Sequence, residues 1–129
     1  MPVELKVLGY AALLQVVQFI VMAVPVNIQL GVKYTGGSRD EPQQATGVAG
    51  RLKRALENHF EGLILFTIAV LVVVLGESSN QMTENCAWAY LWARVLYVPA
   101  YASGIYLLRS LIWSVGFAAT ALMLIAALT

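Results

Sequence analysis

The amino-acid sequence predicts an all-α protein, a four-helix bundle that spans a membrane. Hydrophobic residues make up 60% of the chain, charged residues make up 12%, and the mean hydropathy is +0.74. Soluble domains are about 45–50% apolar and about 25% charged. Four segments also reach the roughly 20 apolar residues that a transmembrane helix requires. Because these segments use most of the 129 residues, we expect a single domain over residues 1–129 and no separate soluble domain.

The hydropathy pattern sets the limits of the four predicted helices. The first runs from about Leu5 to Leu30 and the second from about Ala55 to Leu75. The third runs from about Cys86 to Leu108 and the fourth from about Leu111 to Leu128. The apolar N-terminal stretch is longer than a signal-peptide core and Lys6 is its only basic residue, so we expect a retained first helix.

Three connections of very different length join these helices. The first, Gly31 to Gly50, is rich in glycine and polar residues and is predicted to be a loop. The second, Gly76 to Glu84, is short, and the third is reduced to Arg109–Ser110.

The basic residues predict the orientation in the membrane. The charged residues of the second connection are Glu77 and Glu84, with no basic residue, and the third connection carries Arg109. The first connection and the start of the second helix carry five basic residues, which are Lys33, Arg39, Arg51, Lys53 and Arg54. The positive-inside rule then places the first and third connections in the cytoplasm and both termini on the opposite side.

Charge and cysteine content exclude several other classes of protein. Eight basic and seven acidic residues leave a net charge of +1, which gives no electrostatic reason to bind nucleic acid. The single cysteine, Cys86, excludes an intramolecular disulfide and a cysteine-based metal cage. His59 has no second histidine to complete a metal-ligand set, so no metal site is predicted.

Polar residues recur at helical spacing inside two of the apolar segments. Ionisable groups within a membrane span are costly and are functional candidates by default. Steps of 3, 4 and 3 residues place one set on a single face of the second helix: Arg51, Arg54, Asn58 and Glu61. Steps of 3 and 4 residues place another set on a single face of the third helix: Arg94, Tyr97 and Tyr101.

Two interpretations of these polar faces are open. A buried ion pair between Glu61 and Arg94 would tie the second helix to the third. The remaining polar groups exceed what one carboxylate can satisfy, which favours a cationic pocket for a polar ligand that carries carboxylates.

At these residues the sequence resembles the MAPEG family, the membrane-associated proteins in eicosanoid and glutathione metabolism. The segment R-L-K-R-A-L-E-N-H-F-E keeps every fixed position of the family pattern R-x-x-R-A-x-x-N-x-x-E. The segment R-V-L-Y-V-P-A-Y of the third helix and Arg109–Ser110 at the start of the fourth also match. The loop segment S-R-D-E-P is similar to that of bacterial members, for which an inner-membrane location is expected.

The resemblance implies a homotrimer of four-helix subunits that binds glutathione between neighbouring subunits, near the cytoplasmic side. Arg109 would stabilise the glutathione thiolate, with Arg54 and Ser110 as weaker candidates for contact. Six residues would bind glutathione: Arg51, Asn58, Glu61, Arg94, Tyr97 and Tyr101.

The expected activity is that of a glutathione-dependent transferase or peroxidase that acts on hydrophobic electrophiles. Glutathione would be the co-substrate, without a metal, and the electrophile would enter from the membrane lipid. A free thiol, with a pKa of about 8.5, is mostly protonated at neutral pH, and a nearby guanidinium favours the reactive thiolate. Transferase, peroxidase and isomerase chemistry would all share this thiolate.

Two alternatives from other classes stay open, so the sequence leaves enzymatic activity itself undecided. A non-catalytic membrane module would bind an anionic lipid or a partner protein through the same cationic face. A small channel or transporter would use the intramembrane charges as an ion pathway.

Overall fold

The structure, a computed structural model, describes residues 1–31 and 46–129 as an all-α bundle, as predicted. The elements are α1 (Val3–Leu30), α2 (Gly47–Leu75), α3 (Gln81–Ser103) and α4 (Tyr106–Leu128). By length and composition, α1, α2 and α4 can each cross a membrane, whereas α3 has the same length as α4 and is more polar. Lys33, Arg39 and the S-R-D-E-P segment lie outside the described residues.

Helix α2 begins at Gly47, so it includes the last residues of the predicted first connection as well as the charged turn that precedes the apolar segment. The turn that contains Arg51 is helical, as the spacing of the polar residues predicted. A side-chain amide holds this end in place, because Gln29 of α1 donates to the Thr46 carbonyl over 3.1 Å and accepts from the Thr46 amide over 2.6 Å. The end of α1 is thereby joined to the start of α2.

Helix α3 begins at Gln81, before the predicted Cys86, because a capping box starts it. The Asn80 side chain accepts from the Thr83 amide over 3.0 Å, and the Thr83 hydroxyl accepts from the Asn80 amide over 2.9 Å. Two backbone donors that a helix start leaves without partners are thus satisfied.

Helix α3 ends at Ser103, which corrects the predicted position of the third connection. Gly104 has φ +80°, a left-handed conformation that glycine adopts at little cost and that ends helices. The turn is therefore at Gly104–Ile105, and Arg109 and Ser110 lie inside α4. Hydropathy placed the break at the charged residue, whereas the backbone breaks at the glycine.

The core lies where the four helices meet, and small residues allow them to approach closely. Ala11, Ala69, Ala87 and Ala119 are buried there, one from each helix. Phe66 of α2 stacks on Tyr90 of α3 with ring centroids 3.9 Å apart. Large apolar side chains cover the outer faces, which is the pattern of a bundle solvated by lipid or covered by other subunits.

A buried carboxylate joins α1 to α3 at the end of the bundle where the chain begins. Glu4 is fully buried and accepts hydrogen bonds from the Ser79 hydroxyl over 2.6 Å and the Thr83 hydroxyl over 2.7 Å. At the opposite end Arg51 of α2 donates to the Ala102 carbonyl near the end of α3 over 3.0 Å. The start of α2 and the α3–α4 turn therefore lie at the same end of the bundle.

Candidate functional site

Arg94 is the central polar residue of the bundle and is buried among α2, α3 and α4. Its Nη1 donates to Asn58 Oδ1 over 3.0 Å, and its Nε donates to His59 Nδ1 over 3.3 Å. The ion pair between Glu61 and Arg94, one of the two interpretations of the sequence, is not formed, and Arg94 donates to these neighbouring α2 residues instead. Glu61 and Arg94 still border the same cavity.

His59 is the residue of this network that the sequence did not predict as part of the site. Its Nε2 lies 3.0 Å from the Ala11 carbonyl of α1, and the side chain is fully buried. A carbonyl only accepts and a guanidinium only donates, so the imidazole is neutral, with its proton on Nε2. Because His59 lies one position outside the polar stripe, only its ionisable character inside a span could have indicated it.

Cationic and aromatic side chains alternate along the half of α3 that ends at Ser103. The Arg94 guanidinium lies 4.5 Å from the Tyr97 ring centroid, and the Tyr97 and Tyr101 rings meet edge to face at 5.5 Å. The Arg109 guanidinium of α4 lies 4.7 Å from the Tyr101 ring, and that of Arg54 lies 6.0 Å from it. These distances are within the range of cation–π attraction. The Tyr101 ring thereby brings Arg54 and Arg109 to the same space.

That space is a cavity of about 470 Å³ between α2, α3 and α4, here called the polar cavity. Two arginines and no carboxylate line it, so it favours an anion. Its lining consists of Arg54, Asn58, Tyr97, Tyr101, Arg109, Ser110, Trp113 and Ser114. Six of the residues that the sequence singled out thus meet in one place.

Arg51 is not part of this lining. Its guanidinium hydrogen-bonds Ala102 and packs 3.8 Å from the position that a Gly104 side chain would occupy. Arg54, three residues further along α2, reaches Tyr101 instead. Arg51 therefore contacts the α3–α4 turn, and Arg54 lines the cavity.

A second, smaller space adjoins the polar cavity, and Asn58 and Trp113 border both. This inner cavity has a volume of about 240 Å³. It is lined by Asn58, Glu61, Gly62, Leu65, Tyr90, Arg94, Trp113, Gly116, Phe117 and Thr120. The predicted residues Glu61 and Arg94 therefore lie next to the polar cavity and not in it.

A third space is a groove of about 710 Å³ on the outer side of α1 and α2. Apolar side chains such as Phe19 and Phe60 line most of it, together with Glu57, Glu61 and Gln15. The Gln15 side-chain oxygen is buried without a hydrogen-bond partner in the described part of the chain.

These features define a class, an integral membrane protein of the four-helix type with a cationic cavity at one end. The sequence profile of the MAPEG family matches residues 7–129, and the chain belongs to that family. The resemblance noted from the motifs is thereby confirmed. The family includes glutathione-dependent transferases and peroxidases as well as other members. Searches of curated proteins and of solved structures found no match.

Proposed function

We propose that the protein is a glutathione-dependent transferase or peroxidase for hydrophobic electrophiles. The observation that carries this proposal is the polar cavity, in which Arg54 and Arg109 approach the Tyr101 ring and no carboxylate is present. Membership of the MAPEG family supports glutathione as the ligand.

The residues that line the polar cavity fit the chemistry of glutathione. The tripeptide has two carboxylates and one ammonium group, so it is a net anion that presents many hydrogen-bonding atoms. Guanidinium groups bind carboxylates through paired hydrogen bonds. Asn58 and the hydroxyls of Tyr97 and Ser110 are additional partners for the peptide groups. A volume of about 470 Å³ also lies in the range typical of small-molecule sites.

Arg109 is proposed to stabilise the thiolate. The positive charge favours the ionised sulfur, and the Tyr101 ring restricts where the guanidinium can lie. In a transferase reaction the sulfur electron pair forms the new C–S bond while the leaving group departs with the electron pair of its own bond. In a peroxidase reaction two glutathione thiols reduce one hydroperoxide to an alcohol and water, and a glutathione disulfide forms.

We further propose that the subunit assembles as a homotrimer. Support comes from the groove on α1 and α2, where the buried oxygen of Gln15 has no partner in the described part of the chain and Phe60 is exposed. Glu57 and Glu61 in that groove could face the basic end of a neighbouring subunit. A shared site would also leave Arg51 near glutathione bound to an adjacent subunit, as the resemblance implies.

We place the polar cavity on the cytoplasmic side of the bacterial inner membrane. Arg51, Lys53, Arg54 and Arg109 lie at this end of the bundle, and a surplus of basic residues is typical of cytoplasmic ends. Glutathione would then enter from the cytoplasm and the hydrophobic substrate from the membrane.

The test is a glutathione titration of the purified protein in detergent, followed by ultraviolet absorbance of the thiolate. Arg109→Ala is expected to bind glutathione and to lower the thiolate signal at neutral pH about tenfold or more. Arg54→Met is expected to weaken binding about tenfold, because a charge-assisted hydrogen bond is lost. Lys53→Met, which removes a neighbouring cation outside the cavity lining, is the matched control and should behave like the parent protein.

Two results would contradict this proposal in different ways. An equal thiolate signal in Arg109→Ala and the parent protein would remove Arg109 from its role. A folded protein that binds no glutathione but retains phospholipid, with retention that depends on Arg54, would favour the non-catalytic lipid-binding module.

A further inference from the structure

The inner cavity contains two hydrogen-bonding atoms that the protein itself does not use. The Tyr90 hydroxyl and Arg94 Nη2 are buried, and neither has a hydrogen-bond partner in the described part of the chain. Their side chains are only 3% and 4% exposed, and both line the cavity. An unpaired buried polar group costs free energy, so two that meet in one cavity point to a ligand atom that accepts hydrogen bonds.

The arrangement around these two atoms holds their side chains in place beside the cavity. Asn58 and His59 bind the other nitrogen atoms of Arg94, so Nη2 is the nitrogen that has no partner in the described part of the chain. Stacking on Phe66 fixes the ring of Tyr90. Position 62 is glycine, and an added Cβ there would lie 3.4 Å from the Tyr90 hydroxyl and 3.9 Å from Arg94 Nη1, so a side chain at this position would crowd the hydroxyl.

Charge and size distinguish the inner cavity from the polar cavity. The inner cavity is lined by one guanidinium, Arg94, and one carboxylate, Glu61, so its formal charge balances. It therefore suits an uncharged acceptor better than a carboxylate. Its volume of about 240 Å³ is below the range for a whole ligand and fits one functional group with part of an apolar chain.

The remaining walls lead to the outer surface of α4. Leu65, Trp113 and Phe117 line the cavity, and the last two side chains stack on each other with ring centroids 5.1 Å apart. Both aromatic side chains are exposed on the outside of the subunit. The apolar walls of the inner cavity therefore adjoin a surface of α4 that a membrane would cover.

We propose that the inner cavity is a subsite for an uncharged oxygen acceptor, a carbonyl or hydroperoxide group, on the hydrophobic second substrate. Tyr90 and Arg94 would hold this oxygen beside the polar cavity. The choice of a substrate as occupant rests on the proposed function, since a phospholipid ester carbonyl presents the same chemistry. Binding of the oxygen group itself does not require glutathione, so it can be tested separately.

The probes are an unreactive long-chain methyl ketone and the alkene of the same skeleton, in which a methylene group replaces the carbonyl oxygen. Each is titrated without glutathione into detergent-solubilised protein, and half-saturation is followed by Trp113 fluorescence. For this purpose the exposed Trp88 and Trp92 are replaced by phenylalanine. The parent protein is expected to bind the ketone about threefold to tenfold more tightly than the alkene, as one or two hydrogen bonds provide.

Two variants test the donors without endangering the fold. Tyr90→Phe removes only a hydroxyl that has no partner, and it is expected to reduce the ketone preference about threefold or more. Gly62→Ala places a methyl group against the Tyr90 hydroxyl, and alanine has the higher helix propensity. It is also expected to reduce the preference. Tyr10→Phe, a partly exposed tyrosine on α1 outside the inner-cavity lining, is the matched control and should keep the preference of the parent protein.

Equal binding of ketone and alkene by the parent protein would overturn the proposal, as would an unchanged preference in both Tyr90→Phe and Gly62→Ala. Added phosphatidylcholine provides the last comparison. If it raises the ketone half-saturation only in proteins that retain Tyr90, the donors belong to a lipid ester and the assignment to a substrate is wrong. If glutathione fails to bind while the ketone preference is present, the proposed function fails and the acceptor subsite stands.

Discussion

Replacement of His59 tests how the bundle holds its buried arginine. The imidazole on α2 accepts from Arg94 of α3 over 3.3 Å and donates to the Ala11 carbonyl of α1 over 3.0 Å. His59→Leu keeps a side chain of similar size, makes it apolar and removes both hydrogen bonds. The Arg94 Nε–H is then buried without a partner. The Ala11 carbonyl loses the His59 donor but lies inside α1, where it can accept the hydrogen bond of the helix backbone.

The expected loss of stability follows from these two contacts. Loss of a partner to a buried charged group costs about 1.5–3 kcal/mol, and loss of the second bond costs about 0.5–1.5 kcal/mol. The free-energy contribution of hydrogen bonds within membranes lies toward the lower end of these ranges, because polar groups of the unfolded chain in a membrane also find partners. We therefore expect a loss of about 2–4 kcal/mol in the free energy of unfolding.

The assay is unfolding by dodecyl sulfate in mixed micelles, followed by circular dichroism. Trp92→Leu, an aromatic replacement at an exposed position of α3, is the control. His59→Gln keeps one donor and one acceptor and should recover part of the loss. A His59→Leu protein within about 0.5 kcal/mol of the control would refute the reasoning, since changes of that size are typical of surface positions. The reasoning would also fail if His59→Gln were no more stable than His59→Leu.

Three further predictions concern the two ends of the bundle, each checked by thermal unfolding in detergent. Gly104→Ala forces a side chain into φ +80° and should cost about 1–2 kcal/mol, whereas an unchanged midpoint would mean that the turn can rearrange. Thr83→Val removes a hydrogen bond to the buried Glu4 carboxylate and the acceptor of the Asn80 amide in the capping box, and should cost about 2–4 kcal/mol; equal stability would show that neither hydrogen bond stabilises the bundle. Arg51→Met removes the hydrogen bond to the Ala102 carbonyl and should lower the midpoint; an unchanged midpoint would show that this bond does not hold the α3–α4 turn.

The all-α architecture and the faces of the helices were predictable because both depend on local properties of the chain. Apolar length alone indicates a membrane span. A period of 3.6 residues places Arg94, Tyr97 and Tyr101 on one side of α3, and the structure has these residues in contact along that side.

The ends of the helices were less predictable, because hydropathy measures solvation and not backbone geometry. Arg109 lowered the local hydropathy, so the third connection was predicted at Arg109–Ser110. In the structure Arg109 lies inside α4. The actual boundaries of α3 depend on the capping box at Asn80 and the left-handed Gly104. A hydropathy average over many residues does not detect such single-residue features.

By itself the sequence determined that this chain forms membrane-spanning helices with a cationic, aromatic face on two of them. The tertiary structure decided that Arg54 and not Arg51 enters the polar cavity, and that Arg94 is held by Asn58 and His59. It also revealed that the Tyr90 hydroxyl has no hydrogen-bond partner among the described residues. The physical reason is that periodicity specifies the direction of a side chain around its own helix. The rotation and axial position of the neighbouring helix, which packing of the whole core sets, decide what that side chain meets.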